Sequence, residues 1–248
     1  MPKINVYLPD DLAAAVRAAD LPISTICQKA LAEAVRTVGK ARQGIEALQN
    51  PEFDPGAHPQ FAVRLTERMT TRLRQVLTLA HTASTATGHV QTRHLLMGIV
   101  DEQHNLAVSL MRALDLDVEE IRDAAQRIDV DEPLPTTAPR DGASLWSGLT
   151  LPARIAVGAA LEASIDLGHN YLGCEHLLLG LLNDADTGAG RILRDAGLDS
   201  GGVRRAVVAA SAGFVLARQT TATTDTTKLD HIIHRLGAVE QRLTAANL

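Results

Sequence analysis

Few residue sets in this chain have the types and spacing that chemistry demands. It holds nine histidines, but no H-E-x-x-H run sets two imidazoles on one helix face for zinc. Cys174 stands close to His176 without a matching second pair, and Cys27 is far away, so neither thiol has a metal-binding or catalytic partner. Both cysteines are expected to pack in a core or an interface. His94 and His176 each open an apolar helix and are expected to pack there or bond to backbone. Gly39-Lys40 runs on into Ala41 and lacks the glycine loop that cradles nucleotide phosphates. These readings predict no enzyme, no metal and no cofactor. Polar chemistry is patterned mainly at the start of the chain. There Lys3, Asn5 and Tyr7 alternate with Ile4, Val6 and Leu8, the period of a strand. Two such strands paired into a ribbon fit a DNA major groove, where Lys and Asn can read base edges. Tyr7 suits base contact and surface packing equally.

The elements around that strand follow from pattern. Pro9-Asp10-Asp11 starts a helix carrying Leu12, Ala15, Val16 and Ala19, with acidic groups at its positive end. After Leu21-Pro22, Ser24 or Thr25 can cap a second helix with Ile26, Cys27, Ala30, Leu31, Ala34 and Val38 on one face. That helix would offer its N-terminus, with Ser24 and Thr25, to a phosphate. Residues 1–48 are too few for a stable monomeric core, which predicts a homodimer. Six Lys and Arg against five Asp and Glu leave this unit a net +1, so nonspecific DNA affinity would be weak and salt-dependent.

The chain has 248 residues, 46% apolar and only 2% aromatic, so its core must be built from Leu, Ile, Val and Ala, which favours helix on helix. A net charge of −5 excludes a general polyanion binder. No signal segment and no membrane-spanning apolar run is visible, and the two cysteines suit a reducing compartment. A cytoplasmic protein is expected.

Pro51, Pro55, Gly56 and Pro59 mark residues 49–65 as a linker. The main body, 66–211, is helical in period and is divided near Pro133, Pro135, Pro139 and Gly142 into 66–130 and 145–211. The Thr- and Ala-rich stretch 212–227 reads as a flexible linker. In 228–248, Leu229, Ile232, Leu236, Val239 and Leu243 make a short heptad seam, which could zip two chains or fold back.

The body contains an internal duplication. His94-Leu95-Leu96-Met97-Gly98-Ile99-Val100 matches His176-Leu177-Leu178-Leu179-Gly180-Leu181-Leu182. The match continues without a gap through Ala107/Ala189, Arg112/Arg194, Leu116/Leu198, Asp117/Asp199, Arg122/Arg204 and Ala124/Ala206. Each half predicts four helices, near 70–86, 92–101, 106–114 and 118–128, then 150–167, 174–184, 188–196 and 201–211. Asp117 with Glu120 suits a capping box, and Gly197 a left-handed helix end. Two such repeats make a mainly α, pseudo-twofold bundle with a groove between them as the natural binding site.

The run Leu167-Gly168-His169-Asn170-Tyr171-Leu172-Gly173-Cys174-Glu175-His176, with the apolar helix after it, resembles the Clp N-terminal (Clp R) repeat domain of ClpC-type unfoldases. Thr150-Leu151-Pro152-Ala153-Arg154 is similar to the start of that family's second repeat. The resemblance implies a module without the AAA+ ATPase that binds peptides, adaptors or phosphoarginine proteins. It also implies cyclic peptide antibiotics as ligands and Clp protease components as partners. It assigns Thr70, Thr150 and Glu175 to two phosphoarginine pockets, with Arg74 and Arg154 near them; Arg93 stands where the first repeat would carry a glutamate. The family's aromatic residues at the repeat starts are replaced here, by Thr66, Met69 and Leu149 among others. Separately, Val6-Tyr7-Leu8-Pro9-Asp10-Asp11-Leu12 with Ser24-Thr25-Ile26-Cys27-Gln28-Lys29-Ala30-Leu31 resembles ribbon-helix-helix repressors of the CcdA-like antitoxin type. Together the two resemblances imply a ligand-sensing transcriptional autoregulator bound to operator DNA, or a binding-only decoy or adaptor in which the N-terminal unit serves dimerisation alone.

Overall fold

The computed structural model describes residues 5–128, 132–133 and 144–212. Among these the fold is mainly α. Helix α1 (Asp10–Ala18) and the 27-residue α2 (Ile23–Gln49) lead through a 3-10 turn (Pro55–Ala57) to α3 (Pro59–Arg68). The first repeat is α4 (Thr71–Ala83), α5 (Thr92–Glu102), α6 (Leu106–Ala113) and α7 (Val118–Arg127). The second is α8 (Leu151–Asp166), α9 (Cys174–Leu181), α10 (Gly188–Asp195) and α11, over 200–212.

The duplication in sequence is a duplication in structure. Helices α5, α6 and α7 begin at 92, 106 and 118, and their counterparts begin at 174, 188 and 200. The caps repeat too. Asp117 accepts from Glu120 N at 3.1 Å, and Asp199 accepts from Gly202 N at 2.8 Å. Gly197 closes α10 at φ +87°, a left-handed conformation that glycine adopts without steric cost. Gly98 and Gly180 occupy equivalent places where two helices nearly touch. A Cβ on Gly98 would stand 2.4 Å from the Val76 carbonyl of α4, and one on Gly180 would stand 2.1 Å from the Ala156 carbonyl of α8. Each glycine is thus required for a close helix crossing inside its own repeat.

Helix α8 lies at the centre. Ala153, Ala156, Ala160 and Ala163 are buried along with Val157 and Leu161, so it packs on more than one side. Small side chains permit that double approach. One neighbour is α9. The other is the second half of α2, whose Ala41, Ile45 and Leu48 are buried at helical spacing, with Ile45 and Leu48 opposite Gly158. Leu48 is fully buried.

The start of the chain differs in detail from its sequence pattern. In the single chain residues 5–9 are not paired as a strand, and the expected ribbon requires a second chain. Val6, Tyr7 and Leu8 are exposed, and in a single chain their backbone has no edge to pair with. Helix α2 begins at Ile23 after Pro22, not after a Ser24 or Thr25 cap; both residues lie in its first turn, where Ser24 Oγ accepts from Gln28 Nε2 at 3.3 Å. The proline-rich stretch 49–65 holds ordered structure, because Pro55 and Pro59 sit at the first helical positions, where a missing N–H costs nothing. The segment 213–227 and the heptad seam of 228–248 lie outside the described residues.

Candidate functional site

Two isolated parallel bridges determine which residues meet. Met69 pairs with Leu172, and Val90 pairs with Leu149. The first bridge, with Thr70 N donating to Leu172 O at 2.9 Å, sets the head of α4 beside the loop entering α9. The second, with Thr150 N donating to Val90 O at 3.0 Å, sets the head of α8 beside the loop entering α5. The pairing is therefore crossed. Thr70 of the first repeat lies beside the helix that carries Glu175, and Thr150 of the second lies beside the helix that carries Arg93. Both threonines cap their helices, accepting from Leu73 N at 3.2 Å and Ala153 N at 3.3 Å.

At the Thr70 site the acid is buried. The Glu175 side chain folds back over Gly173, where an added Cβ would stand 2.4 Å from Oε2. Burial pushes its pKa up. His176 is the third residue of α9 and accepts from Gly173 N at 2.9 Å through Nδ1. That leaves the ring proton on Nε2, which stands 2.8 Å from His169 Nδ1 and donates to it. Burial pushes His176 down to about 3, helped by His169 and Arg68, so it stays neutral. Its 3.4 Å approach to Glu175 is accordingly no ion pair. His169, Glu175 and His176 offer ligand atoms within 4.8 Å of one another, a grouping the sequence spacing did not suggest. The cationic Arg68 nearby and the two lone pairs already engaged work against a metal there. His169 stacks on Tyr171 with ring centroids 5.1 Å apart.

At the Thr150 site a carboxylate already fills the space. Glu132 is buried, and it accepts from Thr150 Oγ1 at 2.8 Å, from Thr92 N at 3.0 Å and from Thr92 Oγ1 in a short bond. Thr92 is the first residue of α5, so the carboxylate sits at the positive end of that helix. Ala189 N donates to Thr92 Oγ1 at 3.2 Å and ties the second repeat into the cluster. Arg93 turns away, donating to Gln91 Oε1 at 2.7 Å and Ile128 O at 2.8 Å.

The model of the Clp repeat (R) N-terminal domain matches residues 68–142 and 148–243. This chain belongs to the Clp repeat N-terminal domain family. It is 30% identical over 186 residues to the chaperone protein ClpC1, chloroplastic, of Arabidopsis thaliana, covering 71% of this chain and 19% of the relative. It is 30% identical over 156 residues to ClpC2, chloroplastic, of Oryza sativa subsp. japonica, covering 62% and 16%. It is 29% identical over 143 residues to ClpB of Oceanobacillus iheyensis, covering 57% and 17%. The matched region thus spans about a fifth of these relatives' length. Among solved structures, the N-terminal domain of ClpD from Arabidopsis thaliana is similar at 23% identity and TM-score 0.44, covering 58% of this chain and 96% of that one.

The other expected site residues are placed as follows in the chain. Arg74 is exposed and donates to Met69 O at 3.2 Å. Arg154 is buried, and its guanidinium donates to the carbonyls of Asn50 (3.2 Å), Pro51 (3.4 Å) and Phe53, clamping the turn after α2. It is thus committed to the chain's own backbone. Asn5, Tyr7, Ser24 and Thr25 are exposed and distant in the chain from both threonine sites; Lys3 lies outside the described residues. Sequence reasoning missed Glu132 and His169. Glu132 stands among prolines in the connection between repeats, where no periodicity flags a residue. His169 lies in the quoted family run, but its contact with His176 depends on the loop's path. The replacements at the repeat starts also take on contacts: Trp146 Nε1 donates to Thr66 Oγ1 at 2.9 Å across the repeat boundary.

Proposed function

We propose that this chain is a non-enzymatic binding protein of the Clp system and that its ligand site is the Thr70–Glu175 corner. The crossed pairing of the two corners carries this reading. One corner presents a buried carboxylate beside a helix head, which suits a guanidinium-bearing group such as phosphoarginine or an arginine peptide. The other is filled by Glu132, whose oxygens are already taken by Thr92 and Thr150, and its Arg93 is bonded to Gln91 and Ile128, so no free carboxylate is left there for a second guanidinium. One ligand per chain is expected. Calorimetry of the full chain with phosphoarginine tests this: saturable binding at one site, lost in Glu175→Gln and retained in Arg93→Ala, supports it. Two equivalent sites, or none, would refute it. Arginine-bearing peptides and cyclic peptide antibiotics are the ligands to try next, and Clp protease components are the partners the family suggests.

One observation favours self-association, which a regulatory output would need. Helix α1 buries no residue, and Leu12, Ile23, Ile26, Leu31 and Val35 along α1 and α2 are all exposed. Such an apolar face suits a second copy of this chain. In a homodimer the segment around Asn5 and Tyr7 could pair as a two-stranded ribbon and read operator DNA, making the protein a ligand-sensing autoregulator. The alternative is dimerisation alone, with the chain acting as a decoy or adaptor. Sedimentation of Leu31→Glu against wild type, with a gel shift on the upstream DNA, separates the two. A dimer that shifts no DNA at low salt leaves only the decoy. No helix among the described residues is long and apolar enough to cross a membrane.

A further inference from the structure

A cavity of about 780 Å³ lies between the second half of α2, the Phe53–His58 turn and α3. All of its lining residues except Arg68 and Leu161 precede the segment that matches the Clp family, so it is built mainly by the part of this chain that precedes that segment. Its floor is apolar: Ala41, Gly44, Leu65 and Leu161. Its wall is aromatic. Phe53 stacks on His58 with centroids 4.5 Å apart, and Phe61 meets Phe53 edge-on at 5.1 Å. The chain has only three phenylalanines, and two of them are here.

The charges are of one sign. Lys40, Arg64 and Arg68 line the cavity, and no Asp or Glu is among the described lining residues, in a chain whose net charge is −5. Arg68 Nε is buried and has no acceptor among the described residues. Burial also holds the Arg68 guanidinium below its usual pKa, the mark of a cation short of a counter-charge. A buried donor without a partner is costly, and an incoming carboxylate would relieve it. The volume suits a short peptide, within the range of ordinary ligand pockets of about 300–1,000 Å³.

We propose that this cavity is a second binding site, taking an acidic peptide segment that carries an aromatic or aliphatic side chain. The apolar side chain would enter against Phe53, Phe61 and Leu161, and the carboxylates would meet Arg64, Lys40 and Arg68. The site is distinct from the Thr70–Glu175 corner, although Arg68 lies near His176 as well as in this cavity, and its test does not require a ligand at that corner.

The test uses the full chain and two synthetic peptides, N-acetyl-Asp-Phe-Asp-Leu-amide and its counterpart with lysine for aspartate, titrated by calorimetry. Arg64→Glu reverses an exposed charge at the rim. Gly44→Leu fills the cavity, because a Cβ there would point at Phe61 and Leu161 from 3.7 and 3.9 Å. Leucine also strengthens a helix at that point, so α2 should persist, and circular dichroism checks that it does. The expected result is saturable binding of the acidic peptide alone, weakened at least about fivefold by Arg64→Glu and abolished by Gly44→Leu. No binding up to about 1 mM would overturn the assignment, as would equal binding of both peptides or an affinity unchanged in both variants.

Discussion

Replacing Glu132 by alanine would remove a buried carboxylate that joins the two repeats at their core. Its oxygens take three donors: Thr92 N, Thr92 Oγ1 and Thr150 Oγ1. Thr92 N–H is a first-turn donor of α5 with no partner inside its own helix. Hydrogen bonds to a charged group contribute about 1.5–3 kcal/mol each, but they are not additive, and the space left by the side chain admits water. A net loss of about 3 kcal/mol is therefore expected. For a chain of this size that is about 6–12 °C in Tm. Glu132→Gln keeps one carbonyl oxygen for Thr92 N, and the threonine hydroxyls can accept from its amide, so it should lose about 1 kcal/mol. Thermal unfolding followed by circular dichroism at neutral pH measures both. An alanine variant melting within about 2 °C of wild type would refute the role given to Glu132.

Three further outcomes follow from the same geometry. Gly180→Ala forces a Cβ to within 2.1 Å of the Ala156 carbonyl, so it should destabilise by about 3 kcal/mol or more, read as a fall in urea midpoint; an unchanged midpoint would mean that α8 and α9 do not cross there. The Cys174 thiol is buried and its pKa is pushed up, first by burial and then by Glu175, whereas Cys27 is half-buried. A disulfide thiol reagent should therefore titrate a single cysteine in the native protein and two in denaturant, and fast labelling of Cys27→Ser would contradict this. Burial holds His94 down at about 4 and His176 at about 3. The unfolded chain then binds more protons than the folded one below about pH 6.5, so stability falls as pH drops from there toward those values. Each histidine should cost about 2 kcal/mol by pH 5, and a stability flat between pH 7 and 5 in His94→Gln and wild type alike would exclude the mechanism.

The repeat was legible in sequence because it is written in local terms. His94 and His176 begin their helices at the same register, and the two aspartate caps recur in step. Gly98 and Gly180 have a stricter meaning than a motif conveys, since each is the point where two backbones meet. The N-terminal unit was less legible. Apolar spacing in α2 continues past Val38 through Ala41, Ile45 and Leu48, but only the fold shows that this second half packs on α8. The alternation at the start of the chain marks fitness to pair, and a single chain offers that edge no partner, so a ribbon there depends on a second chain.

The arrangement of the two corners was not readable. The family resemblance singles out Thr70, Thr150 and Glu175, but sequence order would pair each threonine with its own repeat. The bridges at Met69–Leu172 and Val90–Leu149 cross the repeats instead. A substitution at Arg93 therefore acts on the Thr150 corner, and one at Glu175 acts on the Thr70 corner, so each corner is built by both repeats. Glu132 makes that asymmetry structural. A carboxylate held by two hydroxyls and a helix N-terminus stabilises the corner in its filled state, and the Arg93 beside it is spent on Gln91 and Ile128. On the proposed reading, a duplicated domain with one corner closed from within binds one ligand per chain without giving up the contact that holds its halves together.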